Sequence, residues 1–278
     1  NLPMSLVVNT NSASMNAQRS LMASGKELQS AMERLSTGKK INSAADDAAG
    51  FAIAENMTAQ VRGLSMAAKN ANDGLGLLKV VENATNDVTD MLQRIRELAV
   101  QAQSGTNSDS DIDNLQLEAN ALIDEIGRVS EDTTYNNTAY LGSGASTSIN
   151  IQVGYNDGDT ITLQTYNVKA ENLGVKVADV SGSAGDTVLV ALKNADGTYL
   201  QIDQTATAAD GTTTDRVPGA LEVITTAIDQ VASYKAEWGA GQNRLEYTVS
   251  NLMNVVEFTT AAQSRIQDAD FAVEAANL

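Results

Sequence analysis

Residues of a type that could support acid–base catalysis include the adjacent carboxylates Asp46-Asp47 and Glu131-Asp132. Successive residues of a helix point about 100° apart, so neither pair can face one substrate as a catalytic acid and base do. We therefore expect both pairs to be charges at the ends of helices.

The chain contains neither His nor Cys. Their absence excludes thiol nucleophiles, Ser-His-Asp relays, disulfides and the usual ligands of zinc. The run Asn156-Asp157-Gly158-Asp159 lacks the spaced acids and the terminal Glu of a calcium-binding loop, and we expect it to be a turn. The glycine pairs Gly74/Gly76 and Gly239/Gly241 lack the remainder of a phosphate-binding motif. The sequence thus predicts no enzyme activity, no cofactor and no metal site.

The overall composition favours helices packed on helices. Hydrophobic residues make up 42% of the chain but aromatic residues only 4%, so the core must consist mainly of aliphatic side chains. The formal net charge of −17 would repel a phosphate backbone, and we expect no nucleic-acid partner. No segment approaches the roughly 20 apolar residues of a membrane span, and we expect no membrane insertion. Residues 1–15 do not resemble a signal peptide, so if the protein leaves the cell, we expect a route that does not read a cleaved signal.

Helical periodicity organises the N-terminal half of the chain. Residues 11–35 form the first predicted helix, which Gly38 is expected to end in a left-handed conformation. A second helix is predicted from residue 44 to about 101 (44–101), capped by Asn42 or Ser43. Glycines inside this second segment argue against a single unbroken helix.

Two further helices are predicted. The third, capped by Asp109 or Ser110, carries an apolar stripe over 112–129 and is expected to fold back along the second. Apolar residues at alternating intervals of three and four predict a fourth helix over 221–266, with local unwinding at Gly239 and Gly241. Four polar residues interrupt this apolar seam, namely Lys235, Gln242, Thr259 and Gln263.

Between the helices the period of the apolar residues changes to two. Residues 149–155 and 161–163 alternate on either side of the acidic turn and predict a β-hairpin. A second alternating pair, 188–192 and 198–202, lies in a stretch rich in Ser, Thr, Gly and Asp, so we interpret 181–216 as a small inserted β module with loose ends. The predicted fold is mainly α with a small β part: a long antiparallel helical rod or coiled-coil bundle with a β-hairpin and this module.

The stretch from Met91 to Gln101 lies in the second predicted helix and has two distinct faces. On a helical wheel, an apolar arc containing Ile95 faces away from Arg94 and its polar neighbours. Leu98 lies at the edge of this arc, close enough to Arg94 to be partly exposed.

Several runs of residues along the chain match one known family in order. They are Asn9 to Asn11, Arg34 to Gly38, Ile41 to Gly50, Ala71 to Gly74, Leu92 to Gln101, Ile151 to Gly154, Asn156 to Gly158, Gln242 to Arg244 and Ser264 to Asp270. On these runs, which span about residues 5–165 and 217–278, the chain resembles a bacterial flagellin.

This resemblance implies a structural subunit of the flagellar filament that self-assembles into a helical tube for motility. It also implies the flagellar export apparatus as a partner and an extracellular, secreted location in the bacterial flagellum. The implied domains are an inner-tube coiled-coil segment (1–43), a helical rod with the β-hairpin (44–180 plus 217–266), a variable solvent-facing insertion (181–216) and the start of a C-terminal segment (267–278).

Flagellins continue beyond the position of Leu278 with an Ala- and Leu-rich helix that pairs with the N-terminal one. We therefore expect this chain to be a truncated or processed form that polymerises poorly. Two alternatives stay open. One is a hook–filament junction protein, which shares the terminal rods, and the other is a cell-surface protein that binds a polysaccharide or another ligand on a flagellin scaffold.

The resemblance also implies a receptor contact. In flagellins that activate Toll-like receptor five, an Arg and a Leu of the long helix and a Glu of the next helix form this contact. By motif these residues are Arg94, Leu98 and Glu118, with Gln93 beside Arg94. The alternative interpretation is that Arg94 and Glu118 are ordinary solvated charges and that Leu98 belongs to the core.

Overall fold

A computed structural model describes residues 11–143, 148–178, 187–206 and 218–276 of the chain. Helices dominate and the strands are short, which confirms the predicted mainly α fold with a small β part. In chain order the elements are α1 (Ser12–Thr37), α2 (Ala48–Ala102), α3 (Asp109–Asp132), β1 (Thr134–Tyr135), β2 (Thr138–Ala139), β3 (Ser148–Gln152), β4 (Thr160–Gln164), β5 (Gly174–Ala178), β6 (Thr187–Ala191), α4 (Ala220–Gln267) and α5 (Phe271–Ala276).

Internal contacts divide the chain into two compact units. The first, here called the terminal unit, comprises the residues up to 66 and from 251 onward. The second, called the central unit, comprises residues 67–250. The four domain boundaries expected from the sequence stay predictions.

The N-terminus of α2 differs from the prediction. Asn42 and Ser43, the expected caps, instead donate their backbone N–H groups to the Asp46 carboxylate at 3.1 and 2.9 Å and form a separate turn. Asp47 accepts the N–H of Gly50 at 3.0 Å and caps the helix. The predicted caps were wrong because Asp46 accepts the N–H groups of this turn, whereas Asp47 caps the helix.

The cap of α3 was predicted one or two residues too late. Ser108, rather than Asp109 or Ser110, is the N-cap, and it forms a reciprocal capping box with Asp111. The Asp111 carboxylate accepts the Ser108 N–H at 3.0 Å, and the Ser108 hydroxyl accepts the Asp111 N–H at 3.3 Å. These reciprocal bonds with Asp111 identify Ser108 as the cap.

Both long helices run unbroken through their glycines. The predicted unwinding at Gly239 and Gly241 was therefore wrong. A Cβ at Gly74 would lie 3.3 Å from the side chains of Ile151 and Leu245, and one at Gly241 would lie 3.4 Å from two leucines. These contacts show that the missing side chains allow close packing, which offsets the roughly 1 kcal/mol lower helix propensity of glycine.

The predicted first hairpin is confirmed. β3 and β4 pair antiparallel with Ile151 opposite Ile161, and Gly158 in their connection has a φ of +87°. A smaller hairpin, β1–β2, was not predicted. Its two connecting residues, Asn136 and Asn137, have φ values of 50° and 61°, which fit the left-handed turn that suits a two-residue hairpin.

The prediction of a second hairpin, between 188–192 and 198–202, was only partly correct. β6 pairs antiparallel with β5 rather than with a regular strand over 198–202. The chain does turn back after β6, where Lys193 and Tyr199 form an isolated bridge and Leu200 N–H donates to the Leu192 carbonyl at 2.9 Å.

This part of the expected insertion is not a loose, solvent-facing module. Leu192 and Ile202 are fully buried and Leu200 is 5% exposed, and all three belong to the core of the central unit. The expectation of a solvent-facing module was wrong for these residues because their apolar side chains have helices to pack against. Residues 181–186 and 207–216, the remainder of the predicted insertion, lie outside the described residues.

Two apolar clusters form the core of the central unit. In the first, Leu92, Ile95 and Leu98 of α2 pack together with apolar residues of α3, α4 and the segment 187–206. The second contains residues of α2, the β3–β4 hairpin and Trp238 of α4. Beside this tryptophan, the rings of Tyr166 and Tyr234 stack with their centroids 4.0 Å apart.

Two glutamine side chains hold irregular backbone against the helices. Gln116 of α3 accepts the N–H of Ile202 and donates to the carbonyl of Leu200, both at 2.9 Å. Gln230 of α4 makes the same pair of bonds with the N–H and carbonyl of Gly174, both at 3.1 Å. Each amide therefore acts as a substitute strand partner for backbone groups that would otherwise lack one.

Candidate functional site

The predicted recognition residues lie on the surface of the central unit where α2 and α3 run side by side. Arg94 of α2 donates from Nε and Nη2 to one oxygen of Glu118 on α3, at 2.9 and 2.8 Å. Its Nη1 donates to Glu97, one turn along α2, at 3.0 Å. The structure thus brings Arg94 and Glu118 together, with about half of each side chain exposed. Gln93 is exposed beside them.

The Arg94 guanidinium is held in place by these two acids. Hydrogen bonds to Glu118 first, and then to Glu97, raise the pKa of Arg94 above its ordinary value. Because the pairs are exposed to solvent, we expect them to contribute only about 0–1 kcal/mol each to stability. The two acids position the Arg94 guanidinium, and the exposed half of the Arg94 side chain can still contact a partner.

Leu98 does not lie on this surface. Its side chain is completely buried in the first core cluster. The prediction that Leu98 contacts a receptor is therefore wrong for the folded chain, and the alternative assignment to the core is correct. The wheel placed Leu98 at the edge of the apolar arc, but α3, α4 and the segment 187–206 together cover more of α2 than that arc suggested.

Two exposed apolar residues near this surface were missed. Leu117, which precedes Glu118, is 66% exposed, and Val100, two residues beyond Leu98, is 53% exposed. A helical wheel of α3 places Leu117 opposite the buried Ala119 and Ile123, so the sequence did carry a signal for its exposure.

A second group of charges joins α3 to the segments beside it. Lys193 lies 2.7 Å from a carboxylate oxygen of Asp124, and Lys169 lies 2.6 Å from one of Glu131. The hydrogen bond from Lys193, followed by one from Tyr199, lowers the pKa of Asp124. The bond from Lys169 likewise lowers the pKa of Glu131. Both acids are thus occupied in structural ion pairs.

The described part of the terminal unit exposes many apolar side chains. Ala31 of α1 is buried, and Arg34 donates to Glu274 of α5 at 3.2 Å, where Glu274 is only 7% exposed. Other apolar residues of the unit remain in solvent. On α1 they are Met15, Leu21, Met22, Leu28 and Met32, and elsewhere they are Ile53, Met66, Met253, Val255, Phe258, Phe271 and Val273. We call these twelve residues the terminal apolar surface.

Metal binding and membrane insertion, two other possible functions, would each require a particular structural feature in the described residues. No group of acidic side chains within the described ranges is arranged to hold a metal ion. None of the helices in the part of the chain that the structure covers is long and apolar enough to cross a bilayer.

Comparison with known proteins agrees with the helical layout. The N-terminal helical region of bacterial flagellins matches residues 8–147, and the C-terminal helical region matches residues 221–278. A flagellin from Serratia marcescens is 38% identical over 99% of this chain and 92% of its own length. A flagellin from Xenorhabdus nematophila is 40% identical over 99% of this chain and 91% of its own.

One solved structure shares the fold. It is described as that of a flagellar hook-associated protein from Vibrio parahaemolyticus, with a TM-score of 0.59 and 15% identity, and the likeness covers 80% of this chain and 100% of that one. At this identity the likeness concerns the fold alone. The two flagellin relatives, by contrast, match at 38% and 40% identity over more than nine-tenths of their own length. The chain therefore belongs to the bacterial flagellin family, whose members are the structural subunits of the extracellular flagellar filament.

Proposed function

We propose that this chain builds the filament by burying its terminal apolar surface against other copies of itself, and that the filament serves motility. The observation that carries this proposal is the concentration of exposed apolar side chains in one unit. Among the described residues, twelve exposed large apolar side chains lie in the terminal unit and four, Val100, Leu117, Tyr155 and Tyr247, in the central unit. Exposed apolar surface concentrated in this way is typical of protein–protein interaction sites.

The energetics favour a large interface over a single helix pair. The five exposed apolar residues of α1 have 43–76% of their surface in solvent. Their complete burial would contribute on the order of 5–9 kcal/mol, at about 1.5–3 kcal/mol for each fully buried side chain. Association costs about 4–15 kcal/mol in lost freedom. The face of α1 therefore roughly offsets this cost, and the apolar residues of α2, α4 and α5 must supply the net stability of the filament.

Assembly can be tested with one charge substitution and a matched control. Leu21→Glu places a carboxylate in the terminal apolar surface, and Leu117→Glu places one at a residue of similar exposure, 73% against 66%, in the central unit. In mixtures with a filament-forming flagellin, sedimentation and electron microscopy should show the unmodified chain and Leu117→Glu incorporated into filaments, but not Leu21→Glu. Incorporation of Leu21→Glu equal to that of the unmodified chain would contradict the proposed interface.

Export through the flagellar secretion apparatus, in an unfolded state, follows from the same assignment. The absence of cysteine means that no disulfide has to be reduced before export or formed after it. Deleting the export apparatus in a motile host that expresses this chain should abolish its appearance in the medium. Continued secretion in that host would show that another route carries it.

We further propose that Arg94, Glu118 and Gln93 form a contact for Toll-like receptor five. Glu118 and Glu97 hold the Arg94 guanidinium in a fixed position, so less side-chain freedom is lost when a partner carboxylate or carbonyl binds it. Charge-assisted hydrogen bonds of this kind are stronger than neutral ones. Leu98 is excluded by its burial.

A matched pair of arginines tests this recognition. Arg128 of α3 resembles Arg94 because it is also about half exposed, at 59%, and also paired with two acids, Glu125 and Asp132. Receptor reporter signalling should be lost in Arg94→Ala and retained in Arg128→Ala, with both variants showing unchanged circular dichroism. Equal signalling by Arg94→Ala and the unmodified chain would refute the assignment.

A further inference from the structure

The methionines of this chain are distributed unevenly between the two units. The chain has eight, of which Met4 lies outside the described residues. Five of the others are 56–76% exposed, and all five belong to the terminal unit. The remaining two are partly buried: Met57 in the terminal unit, and Met91 in the central unit, which packs against the first core cluster. The exposed ones are Met15, Met22 and Met32 on α1, Met66 on α2 and Met253 on α4.

Exposed thioethers are open to a defined two-electron oxidation. The sulfur lone pair attacks one oxygen of hydrogen peroxide, the O–O bond breaks, and the products are the sulfoxide and one water molecule. Sulfur is oxidised and the peroxide oxygen is reduced, so no further reagent is needed. The oxidation converts a flexible apolar side chain into a polar one. Methionine sulfoxide reductases reverse it with two electrons from a thiol reductant, which is oxidised to a disulfide while the sulfoxide oxygen leaves as water.

The position of these residues gives the oxidation a consequence. Met15 and Met22 lie seven residues apart and therefore on nearly the same face of α1, where both contribute to the terminal apolar surface. A sulfoxide buried in an apolar interface leaves a strong acceptor without a partner. We propose that the five exposed methionines are peroxide-modification sites whose oxidation reversibly blocks assembly of the free subunit. This inference rests on the proposed burial of the terminal apolar surface in the filament.

The first test follows the modification itself. The soluble chain is treated with hydrogen peroxide, and sulfoxide formation at each methionine is followed by peptide mass spectrometry. Met15, Met22 and Met32 should be oxidised at least several-fold faster than Met91. Equal rates at Met91 and at the three α1 methionines would overturn the proposed selectivity.

The second test follows, by sedimentation, incorporation into filaments of a filament-forming flagellin. Oxidised chain should need about tenfold or more protein to be incorporated, since leaving one polar group unpaired in the interface costs about the 1.4 kcal/mol that corresponds to a factor of ten. Treatment with methionine sulfoxide reductases and a thiol reductant should restore incorporation. A variant with all five exposed methionines replaced by Leu keeps the apolar surface without its exposed thioethers and should assemble before and after peroxide, whereas Met91→Leu should stay sensitive.

The outcomes separate the two proposals. If the untreated chain does not assemble, the proposed filament function fails whatever the oxidation chemistry. If the untreated chain assembles and the oxidised chain assembles equally well, the oxidation proposal fails alone. Loss of assembly in the peroxide-treated variant that lacks all five exposed methionines, as in the peroxide-treated unmodified chain, would also overturn it, because the responsible sites would then lie elsewhere.

Discussion

Truncation of Leu98 should reduce stability, whereas truncation of its neighbour Arg94 should not. The Leu98 side chain is fully buried between helices, so Leu98→Ala removes its packing and leaves a cavity. Comparable substitutions cost about 2–5 kcal/mol. At about 2–4 °C per kcal/mol for a domain of this size, the melting temperature should fall by roughly 4–20 °C. Arg94→Ala removes two half-exposed ion pairs and should cost less than about 1 kcal/mol each.

The assay combines thermal unfolding with receptor signalling. The single tryptophan, Trp238, is 2% exposed in the second core cluster, so its fluorescence reports unfolding of the central unit directly. Leu98→Met conserves volume and should cost less than about 1.5 kcal/mol, which controls for substitution at this position. If Leu98→Ala kept the melting temperature of the unmodified chain while losing receptor signalling, Leu98 would be a surface contact and the reasoning from its burial would be refuted.

Three further predictions concern the central unit. Gln116→Ala leaves the N–H of Ile202 and the carbonyl of Leu200 without their partner and should lower the free energy of unfolding by about 1–3 kcal/mol, measured by urea titration; an unchanged midpoint would show that water replaces the amide. Gly174→Ala would place a Cβ 2.0 Å from the backbone oxygen of Val190, and the backbone cannot move aside without cost. The free energy of unfolding should therefore fall by at least about 1–3 kcal/mol, and loss of the β5–β6 pairing should appear as faster amide exchange. The lowered pKa values of Asp124 and Glu131 mean that their ion pairs stabilise the fold above pH of about 4–5 and are lost as the pH falls through the lowered values, so unfolding free energy should fall on acidification. Asp124→Asn should reduce that pH dependence, and an identical acid profile in this variant would exclude the Asp124–Lys193 pair as a cause.

Helix extents could be predicted from the sequence because each helix carries a continuous apolar stripe over many turns. The seam over 221–266 corresponds closely to α4, and Gly38 ends α1 in the expected left-handed conformation with a φ of +70°. The helix starts were less accurate because neighbouring Ser, Asn and Asp residues are equally good caps until local hydrogen bonds choose among them. Glycines misled the prediction because their packing partners are distant in sequence.

Burial at the edges of helices could not be predicted in the same way. A helical wheel gives the direction of Leu98 relative to its own helix, but the width of the covered face depends on how many elements pack there. The contribution of Leu192 and Ile202 to that packing was not predicted, since the small polar residues around their strands indicated a module separate from the helices. The β1–β2 hairpin was missed because two-residue strands are too short to show alternation.

The most direct test of the filament assignment is thiol protection at α1. The chain has no cysteine, so Leu21→Cys introduces a single thiol at a residue that is 73% exposed in the isolated subunit, and Asp196→Cys provides a control at an exposed turn of the central unit. Maleimide labelling should modify both thiols in the soluble chain, but only the one at position 196 in sedimented filaments. Equal labelling of the two thiols in filaments would contradict burial of the terminal apolar surface on assembly.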